Sequence, residues 1–371
     1  MGKVAIDNFL ELITPGDIIE NYLEHLGMSQ ADLAVRTGLS KKTINELVAG
    51  KSALTPGTAL KLETVLGRPA HFWNNLESNY QDKKARAEER KNLTQAEAWL
   101  KTIPVAELSK RGHLHLDPGS DTYTKLKEVC RFYGVASVEA YHAVWGRLDL
   151  AARKDKKAET LLGPASAWIR QGQLQAERLE CQDYDKEKFR SVLDNIRSWT
   201  VEPIALASSK IKEICAQCGV AVAFVPEMKK VPWNGLTMWL TPKKALIIMS
   251  IRGKGEDKFW FTFFHEANHV LHEDGKRAFL INSEDYKDSP EEKRADKFSA
   301  DFLIPAEWNQ RIQSARSKNE ITCLADALKI APGIVAGRYQ FLTNKWHIFK
   351  DLIKKLEWAP APSNGDGGGA G

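Results

Sequence analysis

The first 80 residues show the alternation of apolar and polar positions that is typical of short amphipathic helices. The apolar positions of one segment fall on a single helical face: Leu33, Ala34, Leu39, Ile44 and Leu47. This spacing predicts two short helices joined at Gly38, since glycine readily adopts the left-handed conformation of a tight turn. Ser29 and Ser40 precede the two helices and are predicted to cap their N-termini. Residues 1–80 are therefore interpreted as an all-α domain.

Residues 81–204 carry a different pattern. The segment 81–101 is highly charged and prone to form helix, which predicts a helical connector rather than a flexible linker. Apolar spacing then predicts helices up to residue 200, separated by turns at 117–119, Gly134 and Gly163-Pro164. The region is interpreted as a connector and a helical middle domain, and it contains no motif with a recognisable chemistry.

Residues 205–358 are predicted to combine helices with a small three-stranded sheet. Three apolar runs separated by proline-containing turns are typical of strands: AVAFVPE, GLTMWL and KALIIMSI. Two amphipathic helices follow, DKFWFTFFHEANHVLHE and SPEEKRADKFSADFLI. The residues 359–371, rich in glycine and proline, are predicted to form a disordered tail. The chain as a whole is predicted to be α+β and mostly helical.

Composition narrows the class of protein. Of 371 residues, 43% are hydrophobic, which is enough for two or three cores of ordinary size. No run approaches the ~20 apolar residues of a membrane span, so no membrane is expected as a partner. Five cysteines are spread along the chain, and this odd number indicates reduced thiols in a cytoplasmic protein rather than a disulfide framework. The net charge of +5 permits a nucleic-acid role without arguing for one.

The segment 264–274, FHEANHVLHED, carries the strongest chemical motif. His265 and His269 lie four residues apart and share one helical face, from which both imidazoles reach a single Zn²⁺ at ~2.0–2.1 Å. Glu266 points sideways from them, where it is placed to polarise a water molecule. The same five-residue pattern also arises by chance in charged helices. A catalytic zinc site needs a third protein ligand.

Two residues are candidates for that third ligand. His272 stands about 10.5 Å from His265 along a helix that rises about 1.5 Å per residue, so one straight helix cannot bring three such histidines to one ion. His272 is therefore interpreted as a neighbour of the site. Glu292, on the next helix, is the preferred ligand, although its carboxylate also suits the helix dipole alone. Asp296 follows one turn later and is predicted to accept the Nδ1–H of a ligating histidine, which fixes the ring.

The stretches HEANH and EKRADKFSADFLIP resemble the motifs of the ImmA/IrrE metallopeptidases, and the similarity extends over residues 205–345. The resemblance implies a zincin-like domain with one zinc ion held by His265, His269 and Glu292. It also implies that Glu266 is the general base of a peptidase. Three positions depart from the family pattern: Asn268 for a glycine, Ser299 for an alanine and Phe302 for a leucine. Glycine before the second histidine often allows a neighbouring strand to pack closely, so the asparagine bears on activity.

A second resemblance covers the N-terminal domain, to helix-turn-helix domains of the XRE type and in particular those of HigA antitoxins. It is carried by SQADLAVRTGLSKKTINELVAGKSAL and the helix after it. In such domains the second helix of the pair enters the major groove of DNA, which implies contacts from Lys41, Lys42, Thr43 and Asn45. Residues 1–80 hold seven Lys/Arg against nine Asp/Glu, a net charge of −2, which disfavours non-specific binding. A homodimer, or use of the domain as a protein contact, is compatible with that charge.

Together the two resemblances imply a cytoplasmic, transcription-linked zinc endopeptidase that binds operator DNA and cleaves a repressor with a helix-turn-helix domain. Extended peptides bind many zinc peptidases by adding a strand to a sheet. The predicted strand 235–240 is the candidate edge, with Thr237 and Trp239 along it. The rival interpretation is a non-catalytic, antitoxin-like repressor whose zincin domain is a sensor or an interaction scaffold. A third hypothesis is that the protein cuts itself between domains.

Overall fold

The computed structural model describes residues 13–90, 93–152, 162–272 and 289–358. The chain divides into two compact units, Met1–Ala96 and Glu97–Gly371. The further boundary at residue 204 stays a prediction. The tail 359–371, predicted to be disordered, lies outside the described residues.

The N-terminal unit is built of helices. The helices that lie wholly within its described part are α1 (Pro15–Leu26), α2 (Gln30–Thr37), α3 (Lys41–Val48), α4 (Pro56–Leu66) and α5 (Ala70–Glu89). α2 and α3 are the pair predicted from the apolar spacing. A further helix, α6 (Leu93–Leu100), spans the boundary between the two units. The predicted helical character of the connector is therefore confirmed for its described residues.

Side-chain caps determine where the helices of the pair begin. Ser29 Oγ accepts the backbone N–H of Asp32 at 3.1 Å, and Ser40 Oγ accepts that of Thr43 at 3.0 Å. Both predicted N-caps are confirmed. Gly38 closes α2 with a φ of 65°, a left-handed conformation that is costly for residues with a Cβ. The local sequence therefore specifies this turn without help from the rest of the fold.

The core of the N-terminal unit lies behind α3. Its largest buried side chains come one from each of the helices α1 to α5: Ile19, Leu33, Ile44, Leu62 and Trp73. α1 approaches the end of α3 so closely that a Cβ on Gly16 would lie 2.3 Å from the Val48 carbonyl oxygen. No side chain larger than a hydrogen fits there without moving the backbone. α3 is thus held from behind by α1.

The second unit contains a small sheet surrounded by helices. Its remaining helices are α7 (Val105–Lys110), α8 (Thr122–Tyr133), α9 (Val138–Ala152), α10 (Leu162–Glu177), α11 (Lys186–Ser198), α12 (Ile204–Ala216), α13 (Glu256–Leu271), α14 (Pro290–Leu303), α15 (Asn309–Ser314), α16 (Lys318–Leu328) and α17 (Pro332–Thr343). The strands are β1 (Val220–Phe224), β2 (Gly235–Thr241) and β3 (Lys244–Met249). The turn predicted at Gly163-Pro164 is wrong, because both residues lie in the first turn of α10.

The sheet has the strand order β1-β3-β2, with β1 parallel and β2 antiparallel to β3. Alternate residues of each strand face opposite sides. On one side Ala223 and Ile248 join a cluster with Trp168 of α10, and on the other Val222 and Ile247 join a cluster with residues of α11–α13. Helices of the predicted middle region therefore cover one face of the sheet.

These elements confirm a mostly helical fold with a small three-stranded sheet and an N-terminal helix-turn-helix. Among the described residues, no helix is both long enough and apolar enough to cross a membrane. The sheet places β2 at one edge, and α13 packs on the face of the sheet opposite α10. That arrangement brings the motif of α13 beside the first residues of β2.

Candidate metal centre

The C-terminal half of α13 carries His265, Glu266 and His269. The helix begins with Glu256 and Asp257, whose charges suit the positive end of the helix dipole. Both histidines are buried, at 6% and 3% exposed. Their ring centroids lie 4.8 Å apart, because residues four apart share a helical face.

α14 positions the third candidate ligand. Ser289 caps this helix by accepting the backbone N–H of Glu292 on Oγ at 3.2 Å, so the carboxylate stands in the first turn. Ser299 Oγ donates a hydrogen bond of 2.6 Å to the carbonyl oxygen of Phe261 on α13. This bond joins the two helices about two turns from Glu292 and four residues before His265. The cap and the bond together hold Glu292 over the histidines.

The three side chains converge. Glu292 Oε2 lies 3.2 Å from His265 Nε2, Glu292 Oε1 lies 3.2 Å from His269 Nε2, and the two Nε2 atoms are 3.1 Å apart. Donors bound ~2.0–2.1 Å from one tetrahedral ion are separated by ~3.3 Å. Two imidazoles and a carboxylate are also a donor set that catalytic zinc sites use, with the fourth position left open. The residues therefore fit a zinc ion.

Asp296 orients one of the histidines. Its Oδ1 lies 2.9 Å from His265 Nδ1, and the carboxylate is otherwise 59% exposed. In a ring whose Nδ1–H is hydrogen-bonded to a carboxylate, the lone pair of Nε2 is left free to bind a metal ion. The structure thus brings Asp296 to the position predicted for it, one helical turn beyond Glu292.

Glu266 lies between α13 and the sheet. Thr237 Oγ1 on β2 is 2.8 Å from Glu266 Oε2 and 3.0 Å from the Glu266 carbonyl oxygen. A Cβ on Gly235 would lie 2.7 Å from Glu266 Cγ, so glycine leaves the room that the glutamate occupies. The sequence did not reveal either contact, because both depend on the register of β2 over α13. A glycine and a threonine two residues apart on a strand form no motif that would predict contact with a glutamate.

Burial and the neighbouring side chains shift the pKa values of the residues in the site. Burial disfavours the charged His265 ring, but its hydrogen bonds to Asp296 and Glu292 outweigh burial and raise the pKa of the imidazole to about 10. Burial also disfavours an ionised Glu292, yet hydrogen bonds from His265 and His269 lower the pKa of its carboxyl to about 2. Burial raises the pKa of the Glu266 carboxyl. Glu292 is therefore anionic, as a ligand must be, and a metal ion bound here would have to displace a proton from His265.

His272 stands outside the cluster of three donors. It lies at the C-cap of α13, where its Nδ1 is 3.0 Å from the carbonyl oxygen of Asn268. Asn268 is 1% exposed, and its Oδ1 has no hydrogen-bond partner in the part of the chain that the structure describes. Phe302 stacks on Phe298 and packs against Phe264 of α13. Phe302 thus contributes to the contact between α13 and α14.

The residues predicted to contact DNA lie on α3. Lys41, Lys42 and Asn45 are exposed, whereas Thr43 Oγ1 lies 2.8 Å from Ser40 Oγ and belongs to the helix cap. Lys42 Nζ is 3.9 Å from a carboxylate oxygen of Glu46, a contact between exposed groups that stabilises little. Three of the four predicted side chains therefore extend from the outer face of α3.

β2 is an edge strand. Its outer edge pairs with no strand among the residues described, and its inner edge pairs with β3. Thr237 is buried and bonded to Glu266, while Trp239 packs edge-to-face on Tyr184 with ring centroids 4.9 Å apart. The two residues predicted to line the edge thus have side chains engaged with the protein, and exposure of the strand begins only at Trp239.

The fold and the site define a helix-turn-helix protein with a candidate metal centre in its second unit. The model of the family described as Helix-turn-helix matches residues 19–73, which include α2 and α3. The chain is 33% identical over 96 residues to an uncharacterized HTH-type transcriptional regulator, YddM, of Escherichia coli (strain K12). That similarity covers 26% of this chain and 87% of the relative. The chain therefore belongs to the helix-turn-helix family through its N-terminal unit.

Two further proteins are similar to part of the chain. Virulence-associated protein I of Dichelobacter nodosus is 36% identical over 86 residues, which is 23% of this chain and 80% of that protein. Among solved structures, the antitoxin HigA of Pseudomonas aeruginosa with the higBA promoter is 29% identical, with a TM-score of 0.22. It covers 23% of this chain and 94% of that chain.

The cluster predicts different outcomes for the two histidines at the end of α13. The substitution His269→Ala removes one of the three donors and is expected to abolish stoichiometric zinc in the purified full chain. The matched change His272→Ala is expected to leave zinc content unchanged, because this ring lies outside the cluster. For both variants, mass spectrometry measures the zinc content and competition with a chromophoric chelator measures the zinc affinity. Equal zinc loss in the two variants would exclude the cluster as the binding site.

Proposed function

We propose that the chain is a DNA-binding regulator whose second unit is a zinc-dependent endopeptidase. The observation that carries the proposal is the buried cluster of His265, His269 and Glu292 with Glu266 beside it. The resemblance of HEANH and EKRADKFSADFLIP to ImmA/IrrE metallopeptidases supports the same conclusion. The five cysteines are free thiols, which supports a reducing, cytoplasmic environment.

In this proposal Glu266 of α13 transfers the proton. Zinc, when held by the three residues, supplies a Lewis acid that lowers the pKa of water toward ~7 and polarises a peptide carbonyl. Glu266 accepts a proton from the attacking water and delivers it to the nitrogen of the leaving amine. Thr237 holds Oε2 of the carboxylate at 2.8 Å, which leaves Oε1 for the proton. Burial raises the pKa of Glu266 and so favours its protonated form between the two transfers.

The proposed substrate is a protein segment in extended conformation. Among the described residues β2 is an edge strand and lies next to Glu266, which supports addition of a peptide strand at this edge. The resemblance implies that the substrate is a transcriptional repressor with a helix-turn-helix domain. Val35 and Leu60 of the N-terminal unit are 80% and 59% exposed, which supports a protein contact by this unit, with such a repressor or in a homodimer.

DNA binding is assigned to α3. Membership of the helix-turn-helix family supports insertion of this helix into the major groove of an operator. The exposed Asn45 suits recognition of adenine, and Lys41 and Lys42 suit contacts to phosphate or guanine. Because residues 1–80 carry a net charge of −2, from seven basic and nine acidic residues, the affinity depends on these local contacts rather than on overall charge.

A second candidate function is a non-catalytic repressor of the antitoxin kind, in which the second unit senses a ligand or binds a partner. The observation that favours it is the extent of the family match. Residues 19–73 include α3 but none of the residues of the candidate metal centre. The two functions differ in whether Glu266 is needed, and not in whether zinc binds.

The substitution Glu266→Gln separates the two functions. It keeps the size of the side chain and a partner for Thr237, so full zinc content is expected. It removes the proton acceptor, so cleavage of helix-turn-helix repressors encoded beside the protein should fall about 10²–10⁴-fold. Glu291→Gln, one residue before a predicted ligand, is the matched control and should cleave like the parent.

Cleavage is followed by mass spectrometry of the products, and the parent incubated alone with zinc reports self-cleavage. If Glu266→Gln and the parent derepress and cleave alike, the endopeptidase proposal fails and the repressor function replaces it.

The double substitution Lys41→Ala, Lys42→Ala tests the placement of DNA on α3. Loss of two cationic contacts is expected to weaken binding to the protein's own promoter DNA at least tenfold and to reduce its dependence on salt. Lys61→Ala, an exposed lysine of α4, is the control and should bind like the parent. Fluorescence anisotropy at several salt concentrations measures both. Unchanged affinity of the double variant would rule out the assignment to α3.

A further inference from the structure

A cavity of about 630 Å³ lies in the second unit beside the candidate metal centre. Phe261 and Thr262 of α13 line it, one helical turn before His265. α14 contributes Asp296, the hydrogen-bond partner of His265, and Ala300. The cavity therefore starts at the edge of the metal centre and continues along the groove between the two helices.

The inner part of the cavity is apolar. Leu303 and Ile334 are buried residues that line it, and Phe261 is partly buried against the same core. At the mouth, Phe341 and Trp346 are 67% and 57% exposed. Large aromatic side chains held in water beside an apolar cavity are typical of a binding site.

The charged side chains that line the cavity are three basic residues, Lys258, Lys297 and Arg338, and two acidic residues, Asp257 and Asp296. Lys258 and Lys297 are exposed at the rim, where Lys258 interacts electrostatically with the neighbouring Asp257. The two acidic residues are turned partly toward the protein. Asp296 is bonded to His265, and Asp257 lies against α17, where a Cβ on Gly337 would be 2.6 Å from its Oδ2. The rim therefore suits an anionic group.

The cavity is continuous with the edge of β2. Asn234, the residue immediately before this strand, also lines it. A peptide lying along β2 would thus pass Glu266 and reach the cavity within one or two residues, since a strand advances ~3.3 Å per residue. A volume of about 630 Å³ holds more than one side chain, in the range of ligand pockets generally.

We propose that this cavity is the specificity subsite of the peptidase, which binds a large apolar side chain close to the cleaved bond and an acidic side chain of the same peptide at the Lys258 and Lys297 rim. The inference rests on the proposed function and names its substrate class. Substrates are segments in which a residue such as Phe or Leu is accompanied by Glu or Asp. Apolar burial supplies affinity, and the rim supplies charge complementarity.

Binding of labelled peptides tests this subsite without requiring cleavage. The full chain with Glu266→Gln is loaded with zinc chloride, and fluorescence anisotropy measures heptapeptides in which Phe replaces Ala, or Glu replaces Gln, at each position. The best Phe peptide is expected to bind at least about tenfold more tightly than its Ala counterpart. A Glu next to the Phe should strengthen binding further. The double substitution Lys258→Ala, Lys297→Ala should remove the additional affinity that the Glu contributes.

Substitutions in the cavity localise the effect. Ala300→Phe fills the cavity and should abolish the advantage of the Phe peptide, while Ala306→Phe, at an exposed position, should retain it. Phe341→Ala changes an exposed side chain and should reduce the advantage without affecting folding. Equal binding of Phe and Ala peptides, or an advantage that survives Ala300→Phe, would overturn the subsite, and a Glu effect that survives loss of both lysines would overturn the rim assignment.

The failure of the subsite and that of the proposed function are distinguishable. If the parent cleaves no peptide while the Phe preference in binding persists and depends on Ala300, the endopeptidase fails and the subsite stands. If the parent cleaves its substrates without preference for an apolar residue, the subsite fails and the endopeptidase stands.

Discussion

The packing of α14 on α13 is the contact on which the candidate metal centre depends. One straight helix offers two imidazoles to an ion, and only a second helix at the correct distance adds the carboxylate. Ser299 bonds the two helices, and Phe302 packs between them. Arg197 of α11 adds a third constraint, since its guanidinium donates to the carbonyl oxygens of Phe302 and Leu303 at the end of α14. The position of Glu292 is thus fixed by contacts of α14 with residues distant in sequence, Phe261 and Arg197.

The sheet imposes a second constraint on the opposite side of α13. β2 places Thr237 against the carboxylate of Glu266, and Gly235 leaves space for it. The candidate ligands and the proposed proton carrier, Glu266, are therefore oriented by different neighbours, α14 and β2. β2 is also an edge strand of the described sheet, so the element that holds Glu266 lies where the proposed function places a peptide. The groove between α13 and α14 continues from this point into the cavity lined by Ala300.

Local signals in the sequence predicted local structure well. The caps at Ser29 and Ser40, the left-handed Gly38 and the three strands all follow from residue types within a few positions. The convergence of His265, His269 and Glu292 was predictable because helical spacing and metal chemistry restrict the choices. The turn at Gly163-Pro164 was not, because a Cβ on Gly163 would lie 2.1 Å from the Thr102 carbonyl oxygen. That glycine serves close packing inside a helix.

Contacts that depend on the alignment of elements in the folded protein could not be predicted from the sequence. The bond from Thr237 to Glu266 requires the alignment of β2 over α13, and the cavity requires three helices that meet only in the fold. The N-terminal and second units also differ in how their roles can be recognised. A continuous segment, residues 19–73, matches the helix-turn-helix family, whereas the candidate metal centre is assembled from two helices and a strand.

X-ray absorption at the zinc edge of the purified, zinc-loaded full chain measures the coordination of the proposed site. Two imidazole nitrogens and a carboxylate oxygen at ~2.0–2.1 Å, and no sulfur, are expected in the coordination sphere of a single zinc. A zinc–sulfur distance of ~2.3 Å, as the pair Cys215 and Cys218 would give, or failure of the full chain to retain zinc, would contradict the proposed site.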